Sequence, residues 1–158
     1  KAVDSLTAID KPELLGNKVV IVGGGLVGCE IALDEANHGK DVTIVEALGD
    51  IMAAGGAGAP YPNRQMIVDL FENKGVKVFT NTKLVEVTDK GAIVEKADGT
   101  QELFPADTVV SALGFRPAPN MKEQWAELGV PMYEVGDATG AGTILKAIWD
   151  AYEVANNI

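Results

Sequence analysis

A glycine-rich turn and an acidic residue downstream of it carry the clearest chemistry in this sequence. Gly23, Gly25 and Gly28 form the pattern G-x-G-x-x-G, and Glu46 follows at about the 20-residue distance typical of dinucleotide sites. In such sites the first glycine permits a tight turn, the second admits a pyrophosphate, and the third lets helix and strand pack closely. Exposed N–H groups and the positive end of the helix dipole attract the phosphates. The pattern therefore predicts a site for an adenine dinucleotide.

The acidic residue also indicates which dinucleotide is preferred. The Glu46 carboxylate can accept hydrogen bonds from both hydroxyls of the adenosine ribose, and its charge would repel the 2′-phosphate of NADPH. The next two residues, Ala47 and Leu48, supply no arginine for that phosphate. The sequence favours NADH over NADPH, and a solvated strand end is the alternative interpretation of Glu46.

The elements around the glycine turn support this interpretation. The β-branched run Lys18–Val22 predicts a buried parallel strand, Leu26–His38 has the apolar spacing of an amphipathic helix, and Asp41–Glu46 predicts a second strand. A helix over Pro62–Lys74 and a strand over Val76–Phe79 complete a βαβαβ half. The glycine turn therefore joins a strand to a helix, as a dinucleotide site requires.

The pattern then changes from parallel to antiparallel. Short alternating stretches over Lys83–Thr88, Ala92–Lys96 and Gln101–Phe104 predict a β-meander, after which Asp107–Leu113 returns to the parallel sheet. The predicted fold class is α/β: a Rossmann-like three-layer nucleotide-binding domain with a central parallel sheet and an antiparallel β-meander crossover.

The tail adds a predicted strand over Met132–Val135, followed by Gly136 and Asp137, and a closing helix over Thr143–Ile158.

Composition narrows the possible partners. The 158 residues carry a net charge of −10, which argues against nucleic acid or an anionic membrane as a partner. One cysteine, Cys29, permits no intrachain disulfide and no CxxC redox pair. No apolar run approaches the roughly 20 residues of a membrane-spanning helix. The expectation is a soluble, cytoplasmic protein that binds small molecules and other proteins.

Three stretches carry a family resemblance: GNKVVIVGGGLVGCEIALDEANHGKDVTIVE, DTVVSALGFRPAPN and YEVGDATG. They resemble the FAD/NAD(P)-dependent pyridine-nucleotide-disulfide-reductase-like fold. Within it, the chain is most similar to the C-terminal NAD(H)-binding part of old yellow enzyme-like NADH:flavin oxidoreductases, of the 2,4-dienoyl-CoA and 2-enoate reductase type. The resemblance implies electron transfer from NADH to FAD, then through an iron–sulfur cluster to FMN and an enoate or enone substrate.

The same resemblance implies that the chain is a fragment. The first FAD glycine motif, the cluster cysteines and the FMN domain are expected upstream, as further domains of the same polypeptide. Residues 1–15 are then expected to be a linker from the missing half of the FAD domain, and residues 16–120 the NAD(H)-binding domain. Residues 121–158 would be a strand–helix remnant of the FAD domain, with tail surface that drives self-association of the fragment.

Several site residues follow from the resemblance alone. Glu30 matches a glutamate that lies near the nicotinamide in related reductases, and an ordinary acid favoured by the helix dipole is the alternative. Gly114 resembles the glycine over which the dinucleotide passes, and Arg116 is placed to meet a phosphate or carboxylate; a strand end and an exposed arginine are the alternatives. Gly136 and Asp137 resemble the flavin-binding motif of the tail.

The predicted cofactor-binding residues are Gly23, Gly24, Gly25, Leu26, Val27, Gly28, Glu30, Glu46, Ala112, Gly114, Arg116, Gly136 and Asp137. No catalytic residue and no metal ligand is predicted, because the cofactors perform the redox chemistry and the protein orients them. One departure weakens the flavin assignment: Gly142 and Thr143 stand where many relatives carry Pro-Arg. A stand-alone NAD(H) sensor without catalysis is the alternative function.

Overall fold

The computed structural model describes residues 1–53, 60–116, 122 and 125–158. These residues divide into two compact units, Lys1–Gly114 and Phe115–Ile158, each of which is described by itself. None of the helices in the described residues is long and apolar enough to cross a membrane.

The β-branched runs of the first unit form a five-stranded parallel sheet. Its strands are β1 (Ala2–Asp4), β2 (Lys18–Val22), β3 (Asp41–Val45), β4 (Lys77–Phe79) and β8 (Thr108–Ser111), in the order β1-β8-β2-β3-β4. β2 lies at the centre, and four of its five residues are buried. The glycine turn follows this central strand directly.

Helices cover one face of the sheet. They are α1 (Ser5–Asp10), α2 (Leu26–Asn37) and α3 (Tyr61–Lys74). Cys29, Ile31 and Ala32 of α2 are buried against sheet residues in one apolar core. α3 ends at Gly75, whose φ of +73° is left-handed and suits a residue without a Cβ.

The predicted meander covers the opposite face. It consists of β5 (Lys83–Thr88), β6 (Gly91–Glu95) and β7 (Gln101–Pro105), which pair antiparallel in that order. Ala92, Val94 and Phe104 form a second apolar core with sheet residues. Helices, parallel sheet and meander therefore make three layers, and the predicted fold class is confirmed.

The interpretation of residues 1–15 as a linker is wrong. β1 pairs in parallel with β8, and α1 follows it with Ser5 and Ala8 buried. Leu15 is buried in the same core as α2. The sequence pattern does not reveal this strand, because β1 has only three residues, too few to show alternation, and its pairing partner lies about 100 residues further along the chain.

In its described residues, the second unit lacks one of the predicted elements. It has short 3₁₀ turns at Ala126–Leu128 and Gly136–Ala138, and a helix α4 over Ile144–Asn156. The strand predicted over Met132–Val135 is not formed. A strand needs a neighbour to complete its ladder, and the described residues of this unit supply none. The boundary between the units falls at Gly114, before the predicted end at residue 120.

Candidate functional site

The glycine turn is built so that two of its glycines have no room for a side chain. Gly23 has a φ of +109°, and a Cβ there would overlap the carbonyl oxygen of Ala112. A Cβ on Gly28 would overlap the carbonyl oxygen of Gly23 and lie 3.2 Å from the Ala112 Cβ. These are the tight-turn and close-packing roles that the sequence predicts.

Gly25, the middle glycine of the motif, is different. It precedes the first residue of α2, and a Cβ built on it would meet no atom within 4 Å. The helix has no side-chain cap at this end; its first residue, Leu26, is exposed, and Val27 is partly buried against the apolar core. The first N–H groups of a helix have no partner within the helix, and the space at Gly25 would let a diphosphate approach them, where the helix dipole would also stabilise it.

Glu46 lies against this turn. One carboxylate oxygen, Oε2, accepts a hydrogen bond from the Gly24 N–H at 2.5 Å, and Oε1 accepts one from the Leu48 N–H at 2.7 Å. The side chain is 9% exposed. Each carboxylate oxygen can accept a second hydrogen bond. The acid is thus held in place by the main chain with capacity left for ribose hydroxyls.

A small apolar cavity opens beside Glu46. It has a volume of about 220 Å³ and lies at the carboxyl ends of β2 and β3, where α/β folds bind ligands. Its lining residues are Val22, Gly23, Val45, Glu46, Ala47, Thr82, Lys83, Leu84 and Leu113. Sequence reasoning missed Thr82, Lys83 and Leu84, because only the packing of the meander brings the start of β5 to this edge.

The loop after Glu46 also packs on the turn. A Cβ on Gly24 would lie 2.9 Å from Cγ2 of Ile51, and the Gly24 carbonyl accepts a hydrogen bond from the Met52 N–H at 2.6 Å. The Cys29 thiol donates to the same carbonyl at 3.4 Å. Burial raises the pKa of this thiol to about 12, with smaller contributions from nearby charges: Glu46 and Glu30 raise it, and Arg64 lowers it. Cys29 is therefore a neutral packing residue and not a nucleophile.

The remaining residues predicted for the nucleotide site differ from one another in burial and surroundings. Ala112 is buried, and its N–H donates to the Val22 carbonyl at 2.8 Å. Gly114 has a φ of +90° and is exposed. Glu30 lines a separate cavity of about 300 Å³ between α1 and α2. Arg116 is exposed and belongs to the second unit.

The predicted flavin motif forms a tight turn before α4. Gly136 has a φ of +62°, and its N–H donates to Oδ2 of Asp150 at 3.0 Å. Oδ1 of Asp137 accepts from the Gly142 N–H at 3.1 Å. Hydrogen bonds, first from Lys146 and also from Gly136 and Thr139, hold the pKa of Asp150 below its ordinary value. The exposed Asp137 thus stabilises the loop between residues 137 and 142 by its hydrogen bond to the Gly142 N–H.

A parallel sheet, a strand–turn–helix without room for a Cβ at Gly23 or Gly28, and a meander on the opposite face define a Rossmann-like reductase domain. The chain belongs to the pyridine nucleotide-disulphide oxidoreductase family, whose sequence model matches residues 1–149. This family consists of oxidoreductases, and membership implies NAD(P)H and FAD as the cofactors of the class.

Individual relatives agree with this assignment. The chain is 37% identical over 145 residues to a cinnamate reductase of Clostridium sporogenes, covering 91% of this chain and 21% of the relative. It is 33% identical over 149 residues to an NADH oxidase of Thermoanaerobacter brockii, which covers 94% of this chain and 22% of the relative. A solved 2-naphthoyl-CoA reductase in complex with 2-naphthoyl-CoA superposes with a TM-score of 0.85 at 26% identity, covering 99% of this chain and 23% of that one. The chain thus spans about a fifth of the length of these relatives.

Proposed function

We propose that this chain binds NADH, with the diphosphate at the glycine turn, the adenosine ribose on Glu46 and the adenine ring in the neighbouring apolar cavity. The observation that supports this most directly is the contrast among the glycines. Gly23 and Gly28 have no space for a Cβ, whereas Gly25 faces open space and directly follows Gly24, whose N–H donates to the Glu46 carboxylate. A diphosphate at Gly25 would place the attached ribose within reach of that carboxylate.

Charge supports NADH as the preferred coenzyme. The site combines a helix N-terminus, which favours a diphosphate, with a nearly buried carboxylate, which would repel a further phosphate on the ribose. Ala47 and Leu48 supply no compensating cation. With a net charge of −10, the chain as a whole is also unsuited to bind nucleic acid or an anionic membrane.

We further propose that the chain is the NADH-binding part of a longer flavin oxidoreductase that reduces an enoate- or enone-type substrate. Its support is the small share of each relative that the chain spans and the names of those relatives, cinnamate reductase and NADH oxidase. FAD would accept the hydride of NADH, and FMN, an iron–sulfur cluster and the substrate site would lie in other domains. The residues of this chain orient the coenzyme, and none is required to act as acid, base or nucleophile.

Part of the FAD site is assigned to the second unit. Gly136 and Asp137 would hold the flavin there, since the turn has no room for a bulky residue at Gly136 and the Asp137 carboxylate keeps free acceptor capacity. The N-terminus of α4, where Thr143 accepts a hydrogen bond from the Lys146 N–H, would favour negative charge on reduced flavin. Three further predictions remain: Glu30 near the nicotinamide, Gly114 where the dinucleotide passes, and Arg116 at a phosphate or carboxylate.

The experiment that tests coenzyme binding is calorimetric titration of the full 158-residue chain with NADH and NADPH. We expect NADH to bind more tightly than NADPH. Glu46→Ala should weaken the binding of NADH and reduce the preference for NADH over NADPH. Glu13→Ala, which removes an exposed acid elsewhere, should change neither the NADH affinity nor this preference. Equal affinities in the wild-type chain would contradict the coenzyme preference. Undetectable binding of both coenzymes would contradict the proposal as a whole.

A further inference from the structure

We propose that the ion pair between Asp50 and Arg64 is a second determinant of coenzyme selectivity, one that keeps a nearby cation away from the 2′-phosphate of NADPH. The inference rests on the proposed function, because it concerns the ribose end of the same site. It assigns a role to two residues that neither the glycine motif nor the position of Glu46 explains.

The pair belongs to the loop that carries Glu46. Nη2 of Arg64 lies 2.6 Å from both carboxylate oxygens of Asp50, and Oδ1 of Asp50 also accepts the Ile51 N–H at 2.9 Å. The side chain of Ile51 in turn packs on Gly24, whose N–H binds Glu46. Asp50 is therefore fixed within the short segment that links the proposed ribose-binding acid to the glycine turn.

Arg64 also lies near the segment that reaches the glycine turn. It lines a cavity together with Asp50 and Ile51, and the Ile51 side chain packs on Gly24. Its charge also lowers the pKa of Cys29, whose thiol binds the Gly24 carbonyl. The fork of nitrogen donors on arginine also matches the geometry of a phosphate.

The helix does not account for an arginine at this position. Arg64 lies close to the N-terminus of α3, which begins at Tyr61, has no acid in its first turn and has no side-chain cap. A cation at this end is disfavoured by the helix dipole, so Arg64 is stabilised by its ion pair with Asp50. Without the Asp50 charge, the unpaired guanidinium and the uncapped helix end would both favour an incoming anion. Asp50 therefore disfavours the 2′-phosphate of NADPH in two ways: it pairs with the Arg64 guanidinium, and it adds negative charge to the loop that follows Glu46.

The pair can be opened without unfolding the domain. The side chains of Arg64 and Asp50 are 29% and 57% exposed. An exposed ion pair contributes little to stability, because water and salt screen it. Asp50→Asn also keeps an oxygen for the Ile51 N–H, so it removes the charge while the loop retains its hydrogen bond. The selectivity effect is thus separable from a folding effect.

The test uses two probes that contain only the adenosine end of the coenzymes, ADP-ribose and 2′-phospho-ADP-ribose, titrated by calorimetry into the full chain. We expect Asp50→Asn to tighten binding of 2′-phospho-ADP-ribose by roughly fivefold, with ADP-ribose changed less than about twofold. Adding Arg64→Met to that variant should remove the gain. Asp41→Asn is the matched control, since it breaks the exposed Lys77 ion pair at the amino ends of β3 and β4 and changes the net charge equally.

The outcomes distinguish the role of the ion pair from the proposal that the chain binds NADH. If every variant binds ADP-ribose but Asp50→Asn shows no gain in affinity for 2′-phospho-ADP-ribose, the role of the ion pair is overturned and the proposal of NADH binding stands. A gain of equal size in Asp41→Asn would also overturn it, because net charge alone would then explain the effect. Failure of the wild-type chain to bind ADP-ribose or NADH would overturn both proposals. A gain confined to Asp50→Asn and abolished by Arg64→Met supports the inference.

Discussion

Gly28 and Gly25 belong to one motif but differ in the space available for a Cβ, and an alanine substitution at each position tests this difference. Gly28→Ala places a Cβ on the Gly23 carbonyl oxygen, so we expect a loss of about 3 kcal/mol or more in the free energy of unfolding. Gly25→Ala adds a methyl group where no atom lies within 4 Å, at an extended φ of −69°. Its stability should stay within about 0.5 kcal/mol of wild type.

The same two variants differ in coenzyme binding. Since the Gly25 Cβ would stand where the diphosphate approaches, we expect NADH affinity to fall about tenfold, equal to about 1.4 kcal/mol. Urea denaturation and calorimetric titration measure the two quantities. A Gly25→Ala variant that binds NADH as tightly as wild type would contradict the placement of the diphosphate.

The buried thiol predicts a pH dependence of stability. Burial raises the pKa of Cys29 from the ordinary 9.0 to about 12, so an unfolded chain releases this proton at lower pH than the folded chain. Between those two values the unfolded state binds fewer protons, and the free energy of unfolding must fall as pH rises. The contribution is about 1.4 kcal/mol per pH unit for one group.

Comparison with Cys29→Ala isolates that contribution, because all other ionisable groups are common to both proteins. We expect the wild-type stability to fall more steeply than that of the variant above pH 9, as measured by urea denaturation. Parallel curves would show that the thiol is accessible to water. Slow reaction of the native thiol with an alkylating reagent at pH 8 would be consistent with the steeper curve.

At the scale of elements, the first helix tests how the amino-terminal segment contributes to the fold. Ala8 is 1% exposed in the apolar core, whereas Leu6 on the same helix is 59% exposed. Ala8→Glu buries an unpaired carboxylate, and we expect a loss of about 3 kcal/mol or more. Leu6→Glu is the control and should change the unfolding free energy by less than about 0.5 kcal/mol. Equal effects in thermal or urea denaturation would indicate that α1 does not pack as described.

The elements also show how far sequence patterns reach. β2, α2 and β3 were predicted to within one residue at each end, because β-branched runs and helical spacing are local signals. Helix α4 was also predicted, over a slightly longer range than Ile144–Asn156. β1 and the absence of a strand at Met132–Val135 were not predicted, since strand formation depends on a neighbouring strand that local patterns do not reveal.

At the scale of the whole molecule, the apolar face of α4 predicts self-association of the isolated chain. Five large apolar side chains on one face of this helix are between 56% and 81% exposed: Ile144, Leu145, Ile148, Trp149 and Tyr152. No residue of α4 is buried, and in a longer protein we expect other domains to cover this face. The isolated chain should therefore form concentration-dependent oligomers in sedimentation velocity experiments.

Charge on that face should prevent the association. We expect the double variant Leu145→Lys with Ile148→Lys to sediment as a monomer, while Leu103→Lys on β7, another exposed apolar position, associates like the wild-type chain. Wild-type protein that remains monomeric at all concentrations would contradict this prediction.

The sequence by itself determined the glycine turn, its flanking strands and helix, and the acid opposite them, because each depends on residues close together in the chain. It also determined the resemblance that the family assignment confirmed. Only the tertiary structure placed β1 in the sheet, brought Thr82, Lys83 and Leu84 to the cavity beside Glu46, and paired Asp50 with Arg64. These contacts join segments separated in sequence, and packing of whole elements, which local spacing does not encode, decides which of them meet.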